Sequence, residues 1–146
     1  MSFELRGHTA DVGVAARGST LGETFAALAD GMAATMVESV PEGGDRFAFE
    51  ETAESREALL FDYLDRLIYE RDVRLVMPVD NEAVVTPPDD GDDGEGVDSG
   101  KWHVEGTARG VALAGLGARE VKAVTYSEMR LEPTDDGWEG YVVLDM

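Results

Sequence analysis

Apolar side chains recur at helical spacing in two segments of this chain, and any fold must bury both of the resulting stripes. The first runs from Leu21 to Met36 at intervals of three or four residues, after a Thr20/Glu23 pair typical of a helix N-terminus. The second covers Ser55 to Tyr69 and is wider, with acids and arginines on the opposite face. We therefore predict two helices, each packed through its apolar face.

Most of the remaining chain has the pattern of β-strands. Strands are predicted at 3–5, 12–18, 47–50, 75–85, 102–113 and 138–145, with Pro78 marking the fourth as an edge strand or a bulge. The order strand, helix, strand, helix and then several strands predicts an α+β fold. We expect a single domain spanning 1–146, with two helices packed on a mainly antiparallel or mixed sheet.

A low-complexity segment interrupts the strands between Pro87 and Gly100. It is rich in Asp and Gly and contains almost nothing to bury, so we predict a flexible acidic insertion at a hairpin tip. An EF-hand calcium loop is excluded because the twelfth position counted from Asp90 is Lys101 rather than an acid.

The charge balance limits the partners that this chain can bind. Thirty-one acids face twelve basic residues, and the formal net charge is −19, so independent binding to nucleic acid is not expected. Arginine outnumbers lysine strongly, which suggests a cytosol with molar salt, where screening relieves the self-repulsion.

The absence of cysteine excludes disulfides and thiolate chemistry. No apolar run has the length of a signal peptide or a membrane span, so we expect a cytoplasmic protein without membrane contact.

The two ends of the chain carry the first candidate site. Asp11 follows His8 near the start, and Asp145 is the penultimate residue, which places its carboxylate beside the α-carboxylate of Met146. If folding brings Asp11 to this end, the three groups form a set of hard oxygen ligands suited to calcium or magnesium. On spacing alone, a turn-capping Asp11, a solvated Asp145 and a hydrogen-bonded turn histidine at His8 explain the same residues.

Basic residues are concentrated in a second candidate region. Arg109, Arg119, Lys122 and Arg130 lie within a short stretch of an otherwise anionic chain, close to Tyr126. They could meet a phosphate, a nucleotide or an acidic partner, and ordinary ion pairing with neighbouring acids is the alternative. A Gly-x-Ser-x-Gly nucleophile elbow is missing, so serine hydrolase chemistry has no support.

Four segments of the chain together resemble the archease family. They are His8-Thr-Ala-Asp-Val-Gly near the start, Leu-Leu-Phe-Asp-Tyr-Leu in the second helix, Val-Lys-Ala-Val-Thr-Tyr126, and the closing segment from Trp138 to Met146. They occur in the family's order over essentially the whole chain. This chain looks like a halophile-type acidic member that departs from the family in the acidic insertion and in Ser127, where a histidine is common.

The resemblance implies an accessory protein of tRNA splicing. Such a protein helps the RtcB-type RNA ligase become guanylylated on its active-site histidine and turn over repeatedly, and it has no enzymatic activity of its own. The family's divalent cation, calcium first with magnesium or manganese as alternatives, would be held here by Asp11, Asp145 and the terminal carboxylate of Met146. GTP and tRNA would be met only through the ligase. The expected contacts to the partner or its nucleotide are His8, Arg119, Lys122 and Tyr126.

Two other functions remain open at this point. A stand-alone metal-dependent phosphohydrolase would use Asp11 and Asp145 as ligands and Lys122 on the phosphate, although no general base is evident beside either aspartate. A general chaperone or RNA-modification helper would use the methionines as an adaptable apolar surface, although core filling explains those methionines better.

Overall fold

Helix α1 spans Leu21–Met36 in this computed structural model, which describes residues 2–7, 11–88 and 101–146. The predicted cap is present: Thr20 Oγ1 accepts a hydrogen bond from the backbone N–H of Glu23 at 3.0 Å. The Glu23 carboxylate in turn accepts from the N–H of Ser19 at 2.8 Å, one residue earlier than in a standard capping box. The first bond satisfies an amide that the first turn of a helix leaves without a partner, and the second binds the residue before the cap to that turn.

Helix α2 spans Arg56–Arg74 and therefore continues beyond its predicted end at Tyr69. Glu70 supports the extra turn because it accepts hydrogen bonds from Arg66 Nε at 2.8 Å and from Arg74 Nε at 2.6 Å. Burial opposes the ionisation of Glu70, but the two hydrogen bonds and the positive charges of both arginines together lower the pKa of the carboxyl. The helix ends at Leu75, which adopts the left-handed conformation with φ of 57°.

The described strands form two antiparallel sheets. Their bounds are β1 (Ser2–Gly7), β2 (Asp11–Gly18), β3 (Asp45–Ala53), β4 (Val76–Thr86), β5 (Trp102–Ala112), β6 (Ala123–Thr134) and β7 (Gly137–Asp145). The first sheet has the order β1-β2-β7-β6 and the second β3-β5-β4, and every pairing is antiparallel. The predicted α+β class with two helices is confirmed, and the strands divide between two sheets rather than forming one.

Strand β6 is missing from the sequence-based prediction. Its register against β7 shifts between Thr125 and Arg130, and Glu128 within that stretch has a left-handed φ of 59°. The shift breaks the two-residue alternation that identifies a half-buried strand. Pro133 near the end of β6 further weakens the strand pattern.

Pro78 marks an irregular edge strand, as predicted. β4 lies at the edge of the second sheet, and its register against β5 shifts between Val79 and Glu82. Within this shift the buried Asn81 donates its backbone N–H and its side-chain amide to Asp30 Oδ1, at 3.0 and 2.9 Å. Since Asp30 belongs to α1, the irregular part of β4 is joined directly to that helix.

The core lies where the two helices meet the sheets. Helix α1 contacts both sheets through β2 and β4, while α2 packs on the second sheet and on β6. The rings of Phe25 and Phe49 lie 5.4 and 5.6 Å from that of Tyr63, and all three side chains are buried. Of the methionines considered for a chaperone surface, Met32, Met36 and Met77 are buried, and Met129 is half-buried and packed against the core.

The acidic insertion connects the hairpin formed by β4 and β5, in which Thr86 pairs with His103. Residues 89–100 of the predicted insertion lie outside the part of the chain that the structure describes. Neither helix in the described ranges is long and apolar enough to cross a membrane.

Candidate metal centre and its surroundings

The structure brings the two terminal aspartates together. Asp11 is the first residue of β2 and Asp145 the last of β7, and the register of these neighbouring strands places the two residues directly opposite each other. Directly opposed residues of an antiparallel pair point to the same face of the sheet, with Cβ atoms about 4.5–5.5 Å apart. Both side chains are half-buried. We call Asp11 and Asp145 the carboxylate pair.

The donor chemistry of the carboxylate pair fits a hard divalent cation. Two like charges directly opposite each other destabilise a strand pair, and a cation between them removes that repulsion. In the described ranges no third His, Cys, Asp or Glu side chain joins the pair. The α-carboxylate of Met146, the residue after Asp145, is the remaining anionic group of the predicted ligand set.

The absence of a side chain at Gly13 on β2 makes room for a large side chain on the neighbouring strand β7. A Cβ atom at Gly13 would clash with the hydroxyl and the ring of Tyr141, which lies on β7. Tyr141 occupies the same face as Asp145 because four residues separate them along the strand. The glycine of the Asp-Val-Gly segment is therefore required by packing next to the carboxylate pair.

Strand β6 lies on the other side of Asp145. Ala123 pairs with Asp145, and the backbone N–H of Lys122 donates to the Asp145 carbonyl oxygen at 2.8 Å. The Lys122 side chain is exposed and has no acidic partner among the described residues. This hydrogen bond holds the backbone of Lys122 next to Ala123, the residue that pairs with Asp145.

The loop between β5 and β6 connects the carboxylate pair to a cleft. The N–H of Arg119 donates to the carbonyl of Met36 at 2.9 Å, so the loop is held at the C-terminal end of α1 as well as at Asp145. The cleft has a volume of about 740 Å³. It is lined by Val12, the last turn of α1, four residues after that helix and four residues of the loop: Val37, Glu38, Ser39, Pro41, Gly115, Leu116, Gly117 and Arg119. Val12 follows Asp11 directly, which places cleft and carboxylate pair at the same end of the first sheet.

Two of the four clustered basic residues have partners within the protein, and for Arg109 this partner is an acid, as in the ion-pairing alternative. Arg109 pairs with Asp80 and donates to the carbonyls of Pro41 and Gly43, at 3.0 and 2.6 Å. It therefore holds the loop after α1 against the second sheet. Arg130 lies over the ring of Tyr141 at 5.4 Å. The sequence gives no sign of the partners of Arg109, because Asp80, Pro41 and Gly43 are distant from it along the chain.

Tyr126 lies on β6 and stacks on Phe61 of α2, with ring centroids 4.3 Å apart and an interplanar angle of 5°. Partial burial and, next, the charge of Asp62 raise the pKa of the Tyr126 hydroxyl.

Of the seven residues predicted for the site, the structure places Asp11, Asp145, Met146 and Lys122 at one end of the first sheet, with Arg119 beside the cleft. His8 lies outside the described residues.

Comparisons with known proteins match this chain along its whole length. A family model described as the Archease protein family matches residues 3–146. The protein archease of Methanothermobacter thermautotrophicus is 32% identical over 147 residues, covering 99% of this chain and 98% of that protein. The protein archease of Thermococcus gammatolerans is 32% identical over 144 residues, covering 95% and 94%.

Solved structures share the arrangement of helices and sheets. The solution structure of protein 1598 from Methanobacterium thermoautotrophicum matches with a TM-score of 0.80 and 30% identity, covering 99% of both chains. The crystal structure of a Thermotoga maritima archease, described as a possible chaperone, shares the fold with a TM-score of 0.55 and 17% identity, covering 97% of this chain and 94% of that one.

Two antiparallel sheets, two helices and a carboxylate pair at the chain ends define a small α+β protein with a candidate cation site. With the match over nearly every residue, the chain belongs to the archease family.

Proposed function

We propose that this protein activates an RtcB-type RNA ligase of tRNA splicing by promoting guanylylation of the ligase and its repeated turnover. The observation that carries the proposal is the direct pairing of Asp11 with Asp145 in a chain that belongs to the archease family. The ligase is proposed as the partner because of the family resemblance. The strand register supports the proposal because it brings together two carboxylates that can bind the cation implied by the resemblance.

The carboxylate pair and the Met146 carboxylate would hold the divalent cation. A cation bound there neutralises negative charge on phosphates or on carboxylates of the partner, as in other phosphoryl-transfer sites. We propose Ca²⁺ first, with Mg²⁺ or Mn²⁺ as alternatives. The half-buried position of both aspartates leaves the site reachable from outside, which docking on a ligase requires.

The chain's own residues would act by contact rather than by chemistry. The nucleophilic histidine would belong to the ligase. Lys122, whose backbone N–H donates to the Asp145 carbonyl oxygen, would offer its ammonium to a phosphate or an acidic side chain of the complex. Arg119 would contact the same partner from the edge of the cleft, with Tyr126 and His8 as further proposed contacts. GTP and tRNA would reach this protein through the ligase.

A guanylylation assay tests the proposal. The ligase, GTP and a divalent cation are mixed with or without this protein, and the guanylate attached to the ligase is measured over time. We expect faster attachment with the protein, and neither GTP hydrolysis nor RNA joining by the protein alone. No acceleration would contradict the proposal, whereas GTP consumption in proportion to the protein alone would favour the phosphohydrolase.

Lys122→Ala is expected to slow guanylylation of the ligase by about tenfold or more, which is on the order of the loss of one charge-assisted contact. The affinity for the cation should stay within about twofold of the wild type, because the lysine is not a ligand. A protonated lysine is not a metal ligand, so the two readouts should separate. Lys101→Ala, at the other lysine of the chain, is the matched control. Equal activation by wild type and Lys122→Ala would contradict the assigned contact.

A further inference from the structure

An exposed aromatic face lies at the junction of α2 and β6. Phe61 covers one face of the Tyr126 ring, yet 56% of the surface of Tyr126 remains exposed. Tyr69, further along α2, is equally exposed at 56%, but it stacks on no other ring in the described part of the chain. Stacking on Phe61 fixes the orientation of Tyr126, so its free face is a preorganised surface rather than a mobile side chain.

The charge next to this stack is that of Asp62, which has no cationic partner among the residues that the structure describes. Partial burial and then the charges of Glu51 and Asp65 raise the pKa of the Asp62 carboxyl, and Asp62 in turn acts on Tyr126. Glu51 is already paired with Arg66 at 2.7 Å. Within the described ranges, no arginine, lysine or histidine pairs with Asp62 or Asp65. The surroundings of the Tyr126 face are therefore complementary to a positive charge.

We propose that the Phe61–Tyr126 stack and Asp62 form a docking site for an arginine side chain presented by a protein partner. A guanidinium is planar, so it stacks on an aromatic face while its N–H groups donate to a carboxylate. A lysine ammonium satisfies the charge but not the planar stacking, which makes arginine the better occupant. The net charge of −19 favours the approach of a basic partner surface.

The docking site is separate from the carboxylate pair. It lies on α2 and on the part of β6 after Ala123, and it requires no cation. Tyr126 is also a proposed contact to the ligase, but binding of a free arginine compound is measured without the ligase. The proposed ligase activation can therefore fail while the docking site stands, and the reverse also holds.

The test titrates the full-length protein with N-acetyl-arginine amide, N-acetyl-lysine amide and N-acetyl-citrulline amide at fixed ionic strength, followed by NMR. We expect saturable shifts at Phe61, Asp62 and Tyr126 with the arginine compound. The lysine compound should bind about threefold more weakly, and the neutral citrulline compound should leave these signals unchanged.

Tyr126→Leu and Asp62→Asn should each weaken the arginine compound about threefold to fivefold. Tyr69→Leu removes an equally exposed ring, and Asp136→Asn removes the same charge from an exposed site elsewhere, so both should leave the affinity unchanged. If Tyr126→Leu disturbs the fold, Asp62→Asn tests the proposal alone. Asp62→Asn should leave the fold intact because it breaks no ion pair among the described residues. Equal weakening by the control variants, or equal shifts from arginine and lysine at scattered acids, would overturn the proposal.

Discussion

Asp145→Asn is expected to abolish activation of the ligase and to weaken the binding of Ca²⁺ or Mg²⁺ by about tenfold to a hundredfold, while the protein stays folded. Asparagine keeps the shape of the side chain, so the pairing of β7 with β2 and β6 is retained. The change removes one anionic oxygen ligand from a site where Asp11 lies directly opposite. Calorimetric titration with each cation and the guanylylation assay measure the two losses.

The stability of the same variant gives an independent readout. Without a cation, Asp145→Asn removes a repulsion between two opposed carboxylates, so its free energy of unfolding should equal or slightly exceed that of the wild type. Added cation should then stabilise the wild type and not the variant. Asp135→Asn, in the turn at the opposite end of the β6–β7 hairpin, is the matched control. Unchanged cation affinity in Asp145→Asn would show that the carboxylate pair is not a metal site.

Phe25→Ala is expected to lower the free energy of unfolding by about 3–5 kcal/mol. Phe25 is fully buried and lies against Tyr63, and truncation leaves a cavity between α1 and α2 that neither helix can fill without moving. Denaturant unfolding in molar KCl, monitored by circular dichroism, measures the loss. A loss below about 1 kcal/mol would show that the site collapses or that the ring is not packed in this way.

Tyr63→Phe is the matched control for the cavity. The Tyr63 hydroxyl is buried and has no hydrogen-bond partner among the described residues, and burial raises the pKa of the phenol. Removing an unpaired buried hydroxyl is neutral or stabilising, because its desolvation is not repaid by a bond. We therefore expect no loss of stability, and a loss above about 1 kcal/mol would reveal a hydrogen-bond partner of this hydroxyl.

Local patterns account for the parts of the fold that the sequence predicts. The apolar stripe after Thr20 and the capping pair with Glu23 identify α1, because both depend on spacings within a few residues. The last strand is evident for the same reason. The end of α2 is predicted too early because its last turn depends on ion pairs of Glu70 rather than on apolar spacing.

Non-local pairing accounts for what the sequence does not predict. No periodicity connects Asp11 with Asp145, and only the formation of the first sheet places β2 beside β7. The cleft and the Phe61–Tyr126 stack likewise join segments that are far apart along the chain. The sequence identifies the carboxylates as candidates through residue type and family resemblance, whereas their direct opposition is a property of the strand register.

The most direct test of the account measures how many RNA molecules each ligase joins. The RtcB-type ligase, GTP, a divalent cation and an excess of cleaved RNA are incubated in molar KCl, with this protein present in smaller amount than the ligase. The account predicts that joined RNA exceeds one molecule per ligase and continues to increase, and that Asp145→Asn removes this effect. Joining that stops at one turnover with or without the wild-type protein would contradict the account.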